Sequence, residues 1–143
     1  RQRQMCIRDR YRYDIHGKAI LKTLNKYYVT DLGIAQIKNN NFEINKPFAL
    51  ENIVFNELIT RGYDVYIGKT KKGEIDFIAT KTKEKLYFQI AYYLNDEKVV
   101  EREFGAFKDI KDNYPKYVLS MDRCDFSKDG IIHKNLIDWL LEN

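Results

Sequence analysis

A chain of 143 residues holds one domain and can bury a core without disulfides or metal, and a second full domain does not fit. Its hydrophobic fraction of 44% and aromatic fraction of 14% exclude an intrinsically disordered chain, and no uninterrupted apolar run of about 18 residues is present to span a membrane. The formal charge of +4 invites a nucleic-acid reading, but four arginines against Asp9 in the opening RQRQMCIRDR supply most of it, and without them it falls to +1.

That decapeptide has neither helical nor strand periodicity and looks like translated sequencing-adapter read-through, so residues 1–10 are expected to lie outside the fold. Setting them aside also removes Cys6, which leaves Cys124 without a disulfide partner in the chain. With no signal peptide in view, a reducing cytoplasm is the expected setting. The same exclusion implies a reading frame that starts upstream of this chain.

Residues 11–40 read as a basic-aromatic unit: β-branched and aromatic residues around a Gly17-Lys18 turn, then LGIAQIK as a short helix. Asn39, Asn40 and Asn41 form a polar break, and Pro47 suits a first helical position because its missing N–H is not needed there. Over 47–61 the apolar residues Leu50, Ile53, Val54, Phe55, Leu58 and Ile59 recur at helical spacing, and Gly62 supplies the stop.

Three strands follow by composition: YDVYIG, EIDFIAT and KLYFQIAYYL, joined by the short turns KTKKG and KTKEK and therefore antiparallel to their neighbours. Residues 96–111 return to helical spacing and end at Tyr114-Pro115. KYVLSM is a further strand, DRCDFSKDG a loop, GIIH a short strand and NLIDWLLEN a closing amphipathic helix. From residue 47 the order is αβββαββα.

Two of these strands carry an anomaly. Asp76 is the one charge inside the run IDFIA, and Gln89 the one polar side chain inside LYFQIAYYL; a polar group in a strand buried on both faces needs a partner or a purpose. The two strands are joined by a five-residue turn and are expected to pair, bringing Asp76 beside Gln89, with Glu51 on the preceding helix. Three oxygen donors would then suit Mg²⁺, with waters completing an octahedron, and such sites activate water for phosphodiester cleavage.

Glu51-Asn52, Leu58, Arg61-Gly62-Tyr63, Val65, Gly68, the run EIDFIA and the run YFQIA ending at Ala91 resemble the PD-(D/E)XK, or restriction-endonuclease-like, superfamily. The resemblance implies an α/β fold with an αβββαβ core and a mixed central sheet flanked by helices. In that superfamily the helix gives a glutamate, the second strand an aspartate and the third strand a Glu-x-Lys motif whose lysine orients or deprotonates the attacking water. The matching positions here are Glu51, Asp76 and Gln89-Ile90-Ala91. Glutamine removes a negative charge and Ala91 leaves the lysine position empty, so the pair of losses argues against catalysis.

A more extended resemblance covers nearly all of residues 11–143. The segments KYYVTDLG, LENIVFNELITRGYDVYIGK, EIDFIA, FQIAYYL, EREFGAFKDIKDNYPKYVLSMD and DGIIHKNLIDWLL are similar to domain of unknown function 4143, typically the C-terminal domain of bacterial and archaeal AAA-type ATP-binding proteins. It implies that residues 11–40 are the tail of a winged-helix-like segment and 41–143 a nuclease-like C-terminal domain. ATP would be bound only by the upstream ATPase domain, which would be this domain's own partner.

Other motifs read more simply. Gly68-Lys69-Thr70 imitates the end of a P-loop, yet Tyr63 stands where a glycine is required and no helix follows, so a turn is expected. Glu57 is about −120° around the helix from Glu51 and reads as a surface residue; Glu74 shares a strand face with Asp76. His16, His133 and Cys124 lack the spacing of a zinc site and read as structural or surface. The lysine-rich turns keep the sheet soluble or touch phosphates.

Three functional readings follow. The preferred one is a non-catalytic nuclease-like domain acting as a recognition or regulatory module of its ATPase, binding nucleic acid or protein. The second is an active nuclease in which Lys69, Lys71 or Lys85 has taken over the lysine's task. The third is a structural or protein-interaction domain in which Asp76 and Gln89 bond backbone groups.

Overall fold

The computed structural model describes residues 7–15, 17–33, 45–71 and 73–142. Among these residues seven strands form one mixed sheet: β1 (Ile7–Asp14), β2 (Ala19–Val29), β3 (Asp64–Lys69), β4 (Glu74–Lys81), β5 (Glu84–Ile90), β6 (Lys116–Ser120) and β7 (Ile132–Asn135), in the spatial order β2-β1-β3-β4-β5-β6-β7. The helices that lie wholly among the described residues are α1 (Lys46–Thr60), α2 (Glu97–Gly105) and α3 (Leu136–Leu141). From α1 onward the order αβββαββα is as the sequence predicts, and β3 to β5 are antiparallel through their short turns.

Helix α1 begins where Asn45 accepts the Phe48 N–H through Oδ1 at 3.3 Å, as an N-cap should. It ends in a left-handed Gly62, φ +83°, with Gly62 N–H donating to the Ile59 carbonyl and Tyr63 N–H to that of Leu58, the paired bonds of a Schellman motif. Its apolar stripe, Leu50, Val54, Phe55 and Leu58, packs with Trp139 and Leu136 of α3 on one face of the sheet, against Phe77, Ala79, Phe88 and Leu119. On the other face Phe104 of α2, followed by Phe107 and Ile110, covers Ile75, Ile78, Tyr87 and Val118.

Helix α2 is shorter than the expected 96–111. After Gly105 the bonds Phe107 N–H to Phe104 O and Ile110 N–H to Phe107 O close three-residue turns, which keep Phe104, Phe107 and Ile110 on the sheet side without an α-helix. Strand β5 likewise stops at Ile90 rather than at residue 94. Beyond it Ala91 N–H still donates to the Leu119 carbonyl, but the Leu94 N–H turns to the Asp122 carboxylate at 2.7 Å.

The N-terminal part departs most from expectation. Ile7–Arg10, set aside with the rest of residues 1–10, pair with Lys26–Val29 as part of β1. Residues 1–6 lie outside the described residues. Strand β1 runs parallel to β3, with Arg12 opposite Ile67 and Asp14 opposite Lys69. The hairpin is thus two strands of the central sheet. It is tied in by packing: the buried Tyr28 ring stacks on Phe55 at 4.5 Å between centroids, and the Arg10 guanidinium lies 4.9 Å from the centre of the Phe55 ring. The helix expected over LGIAQIK, the asparagine break and His16 fall largely or wholly outside the described residues.

Gly68 is a strand residue with a packing reason, not part of a phosphate loop. A Cβ there would sit 2.9 Å from the Cβ of Ile75 and 3.0 Å from Ile15 Cδ1, so only glycine fits where β1, β3 and β4 crowd together. The turn expected there comes immediately after, where Thr70 and Gly73 close it with Thr70 N–H donating to the Gly73 carbonyl at 2.9 Å.

Candidate functional site

The pairing of β3 with β4 contains a bulge. Tyr66 faces Ile78 and Gly68 faces Ile75, so Asp76 and Phe77 together oppose the single residue Ile67. A bulge adds one residue, breaks the ladder locally and re-aims side chains. Here it breaks the alternation along β4: Ile75 belongs to the α2 side of the core, whereas Phe77 belongs to the α1 side. The amide and carboxyl of Asp76 are left to find other partners.

Both find them on β5. Asp76 Oδ2 accepts the Ile90 N–H at 2.8 Å, and Asp76 N–H donates to Gln89 Oε1 at 3.3 Å. The expected pairing of Asp76 and Gln89 is therefore present as two side chain-to-backbone bonds that replace the missing ladder. Asp76 is only 8% exposed. Burial, and then the negative charge of Glu51, push its carboxyl up to about 7, against the pull of the Ile90 amide and of Lys26.

Glu51 reaches the same place from α1, but through a third residue. The Lys26 ammonium, from β2, lies 3.5 Å from Glu51 Oε2 and 3.9 Å from Asp76 Oδ1. Two residues further along β2, and so on the same strand face, the buried Tyr28 hydroxyl has no hydrogen-bond partner among the described residues. Burial and the nearby Glu51 and Asp76 charges hold that phenol protonated well above its ordinary range. Sequence reasoning missed Lys26 and Tyr28. The available signal was the alternation of Lys26 and Tyr28 in the run KYY, which has meaning only once β2 is known to join this sheet.

Gln89 does not complete a ligand set with the two carboxylates. Phe88 and Ile90 pack on the α1 side while Tyr87 and Ala91 pack on the α2 side, so alternation turns Gln89 to the face opposite Glu51. Its oxygen is already engaged by the Asp76 amide. Among the described residues no group of three or more His, Cys, Asp and Glu side chains is placed to hold a metal. The residues present do not fit Mg²⁺: an ammonium touches both carboxylates and the third oxygen points elsewhere.

The other lysines considered for the empty position are paired elsewhere or exposed. Lys69 lies 3.9 Å from Glu74, and Lys85 lies 3.6 Å from Asp112, while Lys71 is exposed. Glu74 also pairs with Arg12 at 3.0 Å, and Glu57 with Arg61 at 2.7 Å. His133 is buried in a network in which Ser120 Oγ lies 2.8 Å from its Nε2 and 2.9 Å from Asp122 Oδ2. Burial lowers the imidazole pKa, against the nearby Asp122 and Asp125. Cys124 is free and exposed. Two large clefts lie away from Asp76: one of about 540 Å³ beside Phe104, Tyr114 and Lys128, and a shallower one of about 610 Å³ along Lys81, Lys83 and Lys85.

The chain is thus a mixed α/β domain whose sheet is flanked by helices and whose bulged β4 presents a buried aspartate to a glutamate and a lysine. No family model matches the chain. It is similar to an uncharacterized protein of Haemophilus influenzae, 40% identical over 131 residues that make up 91% of this chain and 32% of that protein. The chain therefore spans about a third of the length of that relative. No solved structure matches it. No helix among the described residues is long and apolar enough to cross a membrane.

Proposed function

We propose that this chain is a non-catalytic, restriction-endonuclease-like domain that serves a longer AAA-type ATP-binding protein of the cytoplasm as a recognition or regulatory module, contacting nucleic acid or protein. ATP belongs to the upstream ATPase domain, which is its first partner. Several features support this reading. The α1-to-β6 order is αβββαβ, Glu51 stands on the leading helix, and Asp76 stands at a bulge in the second of the three strands. The H. influenzae relative is about three times as long as the matched part.

One observation carries the non-catalytic half: the Lys26 ammonium sits against both carboxylates, while Gln89 and Ala91 supply neither the charge nor the amine of a Glu-x-Lys motif. The same contact favours a second reading, an active nuclease whose lysine has moved to β2, because general-base chemistry needs a nitrogen close to hydrogen-bond reach of the site.

A cleavage assay on single-stranded, duplex and branched DNA with Mg²⁺ or Mn²⁺ separates the two. The wild-type chain is expected to cleave no faster than Asp76→Ala. Cleavage that disappears in both Asp76→Ala and Lys26→Ala would establish the active nuclease instead.

A further inference from the structure

Two carboxylates that approach one another in a partly buried place need a positive charge, and the chain supplies it covalently. The Lys26 contacts, 3.5 Å to Glu51 and 3.9 Å to Asp76, are longer than the roughly 2.7–2.9 Å of a close charge-assisted hydrogen bond. The ammonium thus fills the space between the acids without seating fully on either. Its side chain is 31% exposed, so the position is reachable from solvent. An independent sign that this space suits a ligand-holding shell is the buried Tyr28 hydroxyl, an oxygen that faces the Glu51 carboxylate and has no partner at full hydrogen-bond distance among the described residues.

We propose that Lys26 is a tethered stand-in for a divalent cation: its ammonium holds the place that a hard, oxygen-seeking ion takes between Glu51 and Asp76 once that side chain is shortened. The inference rests on the reading above that the native site takes no metal. It assigns the loss of metal binding to a residue outside the Glu-x-Lys position, and it makes that loss reversible by one substitution.

The test measures Mn²⁺ binding by titration calorimetry and thermal unfolding with Mn²⁺ or EDTA, on the full chain as wild type, Lys26→Ala, Lys26→Arg and Lys26→Ala/Asp76→Asn. Wild type and Lys26→Arg are expected to show no saturable binding and the same unfolding temperature in both solutions. Lys26→Ala is expected to unfold earlier in EDTA and to recover with Mn²⁺, binding it about tenfold or more tightly than the double variant. If Lys26→Ala does not fold, Lys26→Thr, which is also short and uncharged and suits a strand, takes its place. A charge-free variant that gains no Mn²⁺ response overturns the stand-in and leaves the non-catalytic reading intact. Saturable Mn²⁺ binding by wild type that Asp76→Asn removes overturns both.

Discussion

Asp76 makes the site dependent on pH in a direction unusual for a carboxylate. Its pKa is raised from 3.8 to about 7, so the folded chain holds a proton that the unfolded chain releases. The associated stability is fully present below the unfolded pKa and is lost as pH rises through the folded one. At about 1.4 kcal/mol per pKa unit the effect amounts to a few kcal/mol. Urea unfolding at pH 5 and pH 8 should show the wild type losing stability relative to Asp76→Asn, whose amide can still accept the Ile90 N–H. Parallel pH profiles for the two proteins would refute it. His133, with its pKa lowered by burial, acts oppositely and weakens the fold below its unfolded pKa, which the comparison of two variants cancels. Asp76 and Gln89 were legible in the sequence because each is a polar residue in an apolar strand. Lys26 was not, because a lysine in a strand of undetermined position looks like any surface charge.

At the scale of elements, α1 and β3 to β7 follow from periodicity, caps and turns, with errors of a few residues at β5 and α2. Those errors have causes that no propensity contains: Phe107 and Ile110 are placed by three-residue turns, and the end of β5 is decided by the Asp122 carboxylate. The link between α1 and β2 was also hidden. Asn52, fully buried, accepts the Val29 N–H at 2.8 Å and donates to the Val29 carbonyl at 2.6 Å, while Asn56 donates to the same carbonyl at 3.0 Å. Asn52→Ala should cost about 1–3 kcal/mol, because it removes the acceptor of the part-buried Val29 N–H, and Asn56→Ala less than about 1 kcal/mol. Equal losses in urea unfolding would show that the clamp does not depend on Asn52.

For the molecule as a whole, the hairpin matters more than its sequence suggests. Composition recognised β-forming residues in 11–40 but gave no means of deciding which sheet they join, since β1 meets β3 in parallel across the whole of α1. A chain cut to residues 41–143 would lose two of the seven strands, the Tyr28 ring that packs on Phe55 and Phe77, and the Lys26 charge. Such a fragment should lose cooperative thermal unfolding, whereas 7–143 should keep it. A fully cooperative 41–143 fragment would support the boundary expected from the sequence.

Asn52 also protects the charge balance of a site it does not touch. Side chains alternate along a strand, so a slip of β2 by one residue would carry Lys26 to the opposite face of the sheet and could bring Tyr27 against Glu51 and Asp76. Two acids would then face each other with no cation between them. The Asn52 amide holds both the N–H and the carbonyl of Val29, and because neighbouring residues turn those groups to opposite edges of a strand, it does not fit a one-residue slip. A neutral hydrogen bond on α1 thereby decides which β2 side chain neutralises the acids.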